Sequence, residues 1–575
     1  MTAIGTAAIP TVIVVGGDAL ALSTAHELCQ LPDHRVVVLW PADGQFAAAV
    51  AAAGAVFVAH RPESRDGLQA AGVDEAVSIL ALARDELLNL QVALRARDAN
   101  PAIRIVLRQF NRALAAKIEQ NLENCSVLSL SRHSAATYAA AALVPSCLHG
   151  LQFPDRDGPL SGFVPLIADR FDIAGRTVAE AEESLAVRIV AIDGATGLGP
   201  GDRIAPGARL IVYAGVDQLL GIVPRRPAAE AAPRLGAWLR RALHRRYWHR
   251  RWMDPYIAAF AATALALFAV GVWHFRESFG SDWLTAAYFV TTTMTTTGYG
   301  DIYPQRDNPV DIAMAMLLML SGTIFTGIFI AIVAARLTRA QWVRMQGLRP
   351  IGRSGHIVVC GCGSIGSGVI DLLLDFGKPL VVVEQNPDTT VIERARDRVF
   401  DLLTGDATRD STLDLCNLRA AHSLVALTNG DTLNLEIALG ARARNPGLPI
   451  VLRIAEAEFA ASIARHFQFE TTFSAAALAA PVFAGLSRMP GARGRLAFEG
   501  REFAITEIAH GPTIESELPR VAIPLAAVGA DGEFTLIRDF AGLQSGTRLL
   551  MLVPLAPFRD GRESLAAIAE RVYGG

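Results

Sequence analysis

The chain has 575 residues, 51% of them apolar, and a formal net charge of −3. At about 150 residues per domain that length predicts roughly four units, and the balanced charge speaks against a nucleic-acid partner. Mean hydropathy is +0.32 with 19% charged residues, which fits a soluble protein carrying a small membrane part better than a many-spanning transporter. The six cysteines, Cys29, Cys125, Cys147, Cys360, Cys362 and Cys416, lack the spacing of a zinc site. They are expected to be reduced thiols that pack as small apolar groups. No Lys or Arg precedes Arg35, so the apolar run Val12–Val15 has no basic flank of a signal peptide and the start of the chain is expected in the cytoplasm.

Val12–Val15 and Val36–Val38 predict two strands of a strand, turn, helix, strand unit. The same unit returns later. An offset of 345 residues aligns Ser78–Arg108 with Ser423–Arg453 without a gap, about half of the positions being identical. Asn89 falls on Asn434, Arg97 on Arg442, Asn100-Pro101 on Asn445-Pro446, and Ile105–Arg108 on Ile450–Arg453. At that offset Val12–Val15 meets Ile357–Cys360 and Val36–Val38 meets Val381–Val383. Each copy begins as a parallel α/β unit of the dinucleotide-binding sort. Each ends in a smaller α+β tail, Gly207–Val212 echoing Gly546–Met551.

Between the copies lie two apolar stretches. Tyr256–Phe275 is interrupted only by His274, and Ile312–Ala335 carries no charge. About 20 residues at a rise of about 1.5 Å cover the hydrocarbon core, so each is expected to span a membrane. Arg240, Arg241, Arg245, Arg246, Arg250 and Arg251 precede the first, and Arg336, Arg339, Arg344 and Arg349 follow the second. By the positive-inside rule both ends face the cytoplasm. The first cluster lacks the every-third spacing of a voltage sensor and reads as a juxtamembrane helix, with Trp238, Trp248 and Trp252 at headgroup depth. Within the outward segment Trp283–Met294 predicts a tilted helix leading into Thr295–Asp301. In the second span Gly322 and Gly327 suit close helix packing or a gating bend.

Thr296, Thr297, Gly298, Tyr299, Gly300 and Asp301 resemble the selectivity filter of potassium channels, with Thr297 where valine is common. The resemblance implies that four copies gather main-chain carbonyls and the Thr296 hydroxyl around a dehydrated K⁺, with Asp301 at the outer mouth. Gly405-Asp406-Ala407-Thr408 and the Asn434, Arg442, Asn445-Pro446 series make the flanking copies similar to RCK units, regulators of potassium conductance. Such units implies an N-lobe that is Rossmann-like and a smaller C-lobe. They also imply a cytoplasmic ring of eight, which a homotetramer with one unit on each side of its pore would supply.

The expected fold is therefore multidomain: two α/β Rossmann-like RCK units, each with a small α+β C-terminal lobe, flanking an all-α two-span potassium-channel pore module. The expected order is a first N-lobe at 1–150 and C-lobe at 151–225, a basic linker at 226–253, and the pore module at 254–338. A linker at 339–354, a second N-lobe at 355–490, a second C-lobe at 491–560 and a tail at 561–575 follow.

In the second copy Gly361, Gly363, Ser364, Ile365 and Gly366 form a glycine fingerprint after a strand, and Glu384 ends the next strand about twenty residues on. This predicts a pyrophosphate at a helix N-terminus with the acid on ribose hydroxyls, for NAD(H) or an adenine nucleotide, and Asp406 as a further polar contact. The first copy keeps Gly16 but has Asp18 for Gly363, Ala21 for Gly366, Leu39 for Glu384 and His60-Arg61 for Gly405-Asp406. It is expected to be a structural partner. Asp431, Glu456 and Glu458 match the acids of calcium-gated archaeal RCK channels, and strand alternation would place Glu456 and Glu458 on one side as Ca²⁺ ligands.

These expectations describe a ligand-gated, passive K⁺ channel in the cell membrane, with the bilayer and its own copies as partners and no catalytic residues. The alternative is a membrane-anchored NAD-dependent oxidoreductase or a regulatory nucleotide sensor. No His or Tyr stands near Gly361–Gly366 for hydride chemistry.

Overall fold

The computed structural model describes residues 10–31, 34–109, 112–153, 158–223, 255–304, 307–345, 351–397, 400–469, 471–489, 491–511, 522–529 and 532–555. The basic stretch 226–253 with its arginines and tryptophans, Arg349 and the tail 561–575 lie outside these. The chain divides into two compact units, one of residues 1–229 with 350–575 and the other of 230–349.

In the first compact unit the two copies build matching parallel sheets. Strands β1 (Thr11–Val15), β2 (Arg35–Trp40), β3 (Val56–Ala59), β4 (Ala76–Ala81), β5 (Arg104–Arg108) and β6 (Cys125–Leu128) order themselves β3-β2-β1-β4-β5-β6. Strands β7 (His149–Gln152), β8 (Leu160–Ile167), β9 (Arg188–Ile192) and β10 (Arg209–Gly215) form an antiparallel sheet, β7-β8-β10-β9. Strands β11 (Ile357–Cys360), β12 (Leu380–Glu384), β13 (Asp401–Thr404), β14 (Ser423–Ala426), β15 (Ile450–Arg453) and β16 (Thr471–Phe473) repeat the first order as β13-β12-β11-β14-β15-β16. Runs such as Val12–Val15 and Ile357–Cys360 are buried throughout because helices cover both faces of a parallel sheet. That order, reversing beside the first strand of each sheet, is the Rossmann arrangement, which opens a crevice at the carboxyl ends of the strands.

The last sheet, β17 (Ala492–Phe498), β18 (Arg501–Ala509), β19 (Ile523–Val528), β20 (Phe534–Leu536) and β21 (Arg548–Pro554), runs β17-β18-β21-β19-β20. The first small lobe also carries helices Val178–Leu185 and Val216–Ile222, whereas the second has only strands among the described residues. The two lobes share one core, in which Leu151, Phe163 and Tyr213 join Phe503, Leu525 and Leu552. Polar ties across them include Glu182, which accepts from Arg188 of its own lobe and Arg538 of the other, and Arg188, which donates to the Pro524 carbonyl at 3.2 Å.

The copies also exchange helices. Helix Leu130–Leu143 of the first copy packs on Ser364–Asp375 of the second, and the equivalent Ala475–Leu486 packs on Ala19–Cys29 of the first. Polar contacts fix the register: Tyr138 donates to the Phe473 carbonyl at 2.9 Å, and Ser423 to that of Ala142 at 2.7 Å. The Glu27 carboxylate holds Arg495 at 2.6 Å. The repeat is therefore a pseudo-twofold pair within one chain.

The second compact unit holds helices Pro255–Phe279, Trp283–Met294 and Pro309–Met345. Two segments, Ala259–Phe279 and Pro309–Ile332, are long and apolar enough to cross a membrane. Asp282 caps the middle helix by accepting the Leu284 N–H at 3.2 Å. Phe275, Ala286, Phe289, Val290 and Leu318 form the core where the three helices meet. Leu265, Leu284 and Leu320 stay exposed at 71%, 79% and 65%, the surface expected of helices facing lipid or other copies.

Candidate functional site

Two places carry chemistry. The first is the loop after Met294, where backbone angles set the direction of the carbonyls. Positive φ recurs at alternate residues, Thr296 (58°), Gly298 (52°) and Gly300 (76°), while Thr297 and Tyr299 stay negative. Such alternation allows consecutive carbonyls to face the same side, and glycine tolerates it without strain. Thr296 lacks that freedom, and its conformation is held by the end of the helix, where its N–H donates to the Thr293 carbonyl at 3.2 Å. The N–H groups of Thr297 and Gly298 both donate to the Thr292 carbonyl, at 2.9 and 3.1 Å, and the Thr295 and Thr297 hydroxyls meet at 2.9 Å. Residues 295–300 are exposed in the single chain. Tyr288 donates to Asp301 at 2.9 Å and stacks parallel to Tyr299, which anchors the far end of the loop.

Gly322 and Gly327 differ. A Cβ at Gly322 would lie 2.1 Å from the Met294 carbonyl oxygen, whereas one at Gly327 would meet nothing within 4 Å. Both sit inside one continuous helix, Pro309–Met345.

The second place is the turn after β11. Gly361 has φ +97° and a Cβ there would meet the Thr428 nitrogen at 3.0 Å, while Gly366 passes the Gly361 carbonyl so closely that a Cβ would lie 2.1 Å from it. These two glycines let the helix Ser364–Asp375 start against the sheet. Gly363 is the N-cap, no side chain caps the helix, and nothing lies within 4 Å of where its Cβ would be. The helix N-terminus is therefore open, the arrangement that receives a phosphate. Glu384 at the end of β12 accepts from the N–H groups of Cys362 (2.8 Å) and Asn386 (3.1 Å), so its carboxylate lies at the glycine turn, where a ribose is held in this fold. Burial pushes the Cys362 thiol up, leaving it protonated. Asp406 accepts from the Thr408 hydroxyl at 2.7 Å and N–H at 3.0 Å, which holds its carboxyl below the usual range. Its Oδ1 is engaged in its own turn, while Oδ2 faces Arg409 at 3.5 Å.

The first copy fills the equivalent place with its own side chains. Asp18 caps helix Ala19–Cys29, accepting from Leu20 and Ala21 at 3.1 and 3.2 Å, and it pairs with Arg108 at 2.7 Å. The Trp40 ring lies on Gly17, where a Cβ would fall 2.1 Å from the indole nitrogen. Neither Trp40 nor Arg108 belongs to the fingerprint; at the 345-residue offset Trp40 stands opposite Gln385, a difference that marks it, whereas Arg108 stands opposite an identical Arg453 and carries no such mark.

The strand-end placement of Glu456 and Glu458 is corrected. Strand β15 stops at Arg453, Glu456 is the N-cap of helix Ala457–Phe467, and Glu458 lies in its first turn. Asp431 accepts the Ala455 N–H with both oxygens, each at 3.0 Å. Among the described residues no group of three or more His, Cys, Asp and Glu side chains is placed to hold a metal ion. The repeated Asn and Arg landmarks are scaffold: Asn434 donates to the Thr428 and Arg453 carbonyls, and Arg442 to those of Phe467 and Gln468.

Residues 12–127 and 357–474 match the TrkA-N domain, and residues 259–339 match an ion channel domain. Two TrkA-N domains thus flank an ion-channel domain. With its two long apolar helices, that domain makes this a membrane protein. Among relatives, the probable potassium channel protein 2 of Methanocaldococcus jannaschii is 28% identical over 31% of this chain and 53% of its own length. The calcium-gated potassium channel TvoK of Thermoplasma volcanium is 26% identical over 26% of this chain and 41% of its own. The chain spans about half the length, or less, of the first curated relatives it matches. The GsuK channel bound to NAD aligns over 98% of this chain and 80% of that one, at 14% identity and a TM-score of 0.48.

Proposed function

We propose that the chain is a potassium-selective channel, gated by an adenine nucleotide such as NAD(H) bound to its second TrkA-N domain. The observation that carries this reading is the alternate-residue positive φ through Thr296–Gly300, directly after a helix end inside an ion-channel domain. Four copies supply the carbonyls of Thr296, Thr297, Gly298 and Tyr299 that replace the water around K⁺, with Asp301 at the outer mouth concentrating cations. Both ends of the chain face the cytoplasm, and the eight TrkA-N domains of a tetramer form the gating ring.

The open helix N-terminus at Gly363–Gly366 takes the phosphates, and Glu384 exchanges its hold on the Cys362 N–H for ribose hydroxyls. Ligand that prefers one conformation of the ring shifts its population and pulls on the second span through Leu337–Gly355. About 1.4 kcal/mol of differential affinity changes an open-to-closed ratio tenfold. This reading routes gating through the nucleotide and makes no use of Asp431, whose carboxylate accepts the Ala455 N–H, or of Glu456 and Glu458 at a helix start. An oxidoreductase would need a proton-transferring side chain beside the glycine turn, and nicotinamide turnover is the measurement that separates that reading from a channel.

The test is K⁺ flux from proteoliposomes of the full chain with and without NAD⁺, NADH or ADP. A nucleotide-dependent change in flux that Glu384→Ala removes supports the reading. Nicotinamide turnover without K⁺ flux contradicts it.

A further inference from the structure

The two copies of the glycine turn act as controls for each other. In the first, Arg108 donates through one nitrogen to the Leu82 carbonyl at 3.0 Å and to the Asp18 carboxylate at 2.7 Å. That carboxylate also takes two N–H groups of the helix it caps. An anionic oxygen therefore sits at a helix N-terminus, facing an arginine only 6% exposed, with the Trp40 ring against the adjoining glycine. This is the donor set of a phosphate site, occupied by a carboxylate of the chain itself.

In the second copy the anion is gone and the cation is kept. Gly363 replaces Asp18, with open space where a side chain would be. Arg453 replaces Arg108 and keeps its hold on the equivalent carbonyl, that of Leu427, at 3.4 Å, with further contacts to the Thr428 carbonyl (3.2 Å) and Asn429 Oδ1 (3.0 Å). All three acceptors are neutral. Among the described residues Arg453 has no carboxylate partner, although its counterpart in the other copy has one at 2.7 Å. We infer that Arg453 is a phosphate-binding residue of the second TrkA-N domain, pairing with a ligand phosphate where Asp18 pairs with Arg108 in the first.

This rests on the nucleotide reading above and names the cation that the fingerprint leaves out. It assigns a division of labour: Glu384 reads ribose, the helix N-terminus and Arg453 read phosphate. It also explains why the first copy is closed, since Asp18 is a tethered competitor for the same donors.

The experiment is calorimetric titration of the detergent-solubilised full chain with adenosine, ADP and NAD⁺ at two salt concentrations. Arg453→Gln is expected to weaken ADP and NAD⁺ by about tenfold or more, leave adenosine within about twofold, and flatten the salt dependence of ADP binding. Arg453→Lys, which keeps the charge, is expected to recover part of the loss. Gly363→Asp, which installs the anion of the first copy without touching Arg453, is expected to abolish ADP binding. Unchanged ADP affinity in Arg453→Gln overturns the assignment and leaves the nucleotide site standing, as does an equal loss for adenosine and ADP, which would make the arginine structural. Wild-type protein that binds neither adenosine, ADP nor NAD⁺ overturns the nucleotide reading and this assignment with it.

Discussion

Gly322 lies so close to Met294 that a Cβ would overlap its carbonyl oxygen at 2.1 Å. The helix Pro309–Met345 is thereby pressed against the end of the helix that leads into the proposed filter. The glycine is explained by that approach. Gly322→Ala is expected to cost about 1–3 kcal/mol as overpacking, seen as a lower melting temperature of the full chain and loss of K⁺ flux. Gly327→Ala, with open space around it, is expected to change neither. A melting temperature unmoved by Gly322→Ala would refute the packing role.

The link from Tyr288 to Asp301 ties the same helix to the last residue of the proposed filter. Tyr288→Phe keeps the ring stacked on Tyr299 and removes only the donor. The variant is expected to assemble and conduct, with a lower K⁺ over Na⁺ permeability ratio, and Asp301→Asn should move the ratio the same way. Bi-ionic potentials measure it; wild-type ratios in both would show that the filter needs no such anchor.

A third prediction concerns acid. His149 is buried, and desolvation, helped by His133, lowers its pKa to about 3. Its unfolded value is about 6.5. Between those values the unfolded chain binds the extra proton, so stability falls as pH drops below about 6.5 and is fully present above it. At pH 5 the loss is about 2 kcal/mol for this one group. Thermal melts of the full chain from pH 7.5 to 5 should show it, and His149→Leu should flatten that part of the profile. A slope identical in the variant would assign the acid sensitivity elsewhere.

The lobes offer a fourth. Glu182 is 11% exposed and is shared by Arg188 and Arg538. Removing it leaves two arginines partly buried without a carboxylate, and Glu182→Ala is expected to cost about 3–5 kcal/mol. Limited proteolysis should then cut between the lobes at a protease dose the wild type survives; equal resistance would show that the lobes hold together without Glu182.

The sequence shows the architecture because its signals are local and repeated. Continuous apolar runs at Val12–Val15 and Ile357–Cys360 are what a doubly covered parallel sheet requires, and the duplication fixes which strands correspond. The glycines of the loop proposed as a filter were visible for the same reason, and Gly298 and Gly300 both take the positive φ that glycine tolerates. What was not legible depends on distant partners. Trp40 covers Gly17 from the end of the next strand, and Arg453 reaches the turn from β15, neither at a spacing that a fingerprint records. Glu456 falls off the strand because the ladder to β16 makes its last bond at the Ile454 N–H, and the next N–H, that of Ala455, turns to the Asp431 carboxylate just before the helix capped by Glu456. The repeated Asn434 and Arg442 look like site residues in sequence and are backbone clamps in space.

The measurement that bears most directly on the central claim is the reversal potential of the purified full chain in a planar bilayer with K⁺ on one side and Na⁺ on the other. The account predicts a potential close to that of a K⁺-selective membrane, and its collapse in Gly298→Ala, where φ is +52°. A reversal near zero in the wild type, with Na⁺ carrying as much current as K⁺, would contradict it.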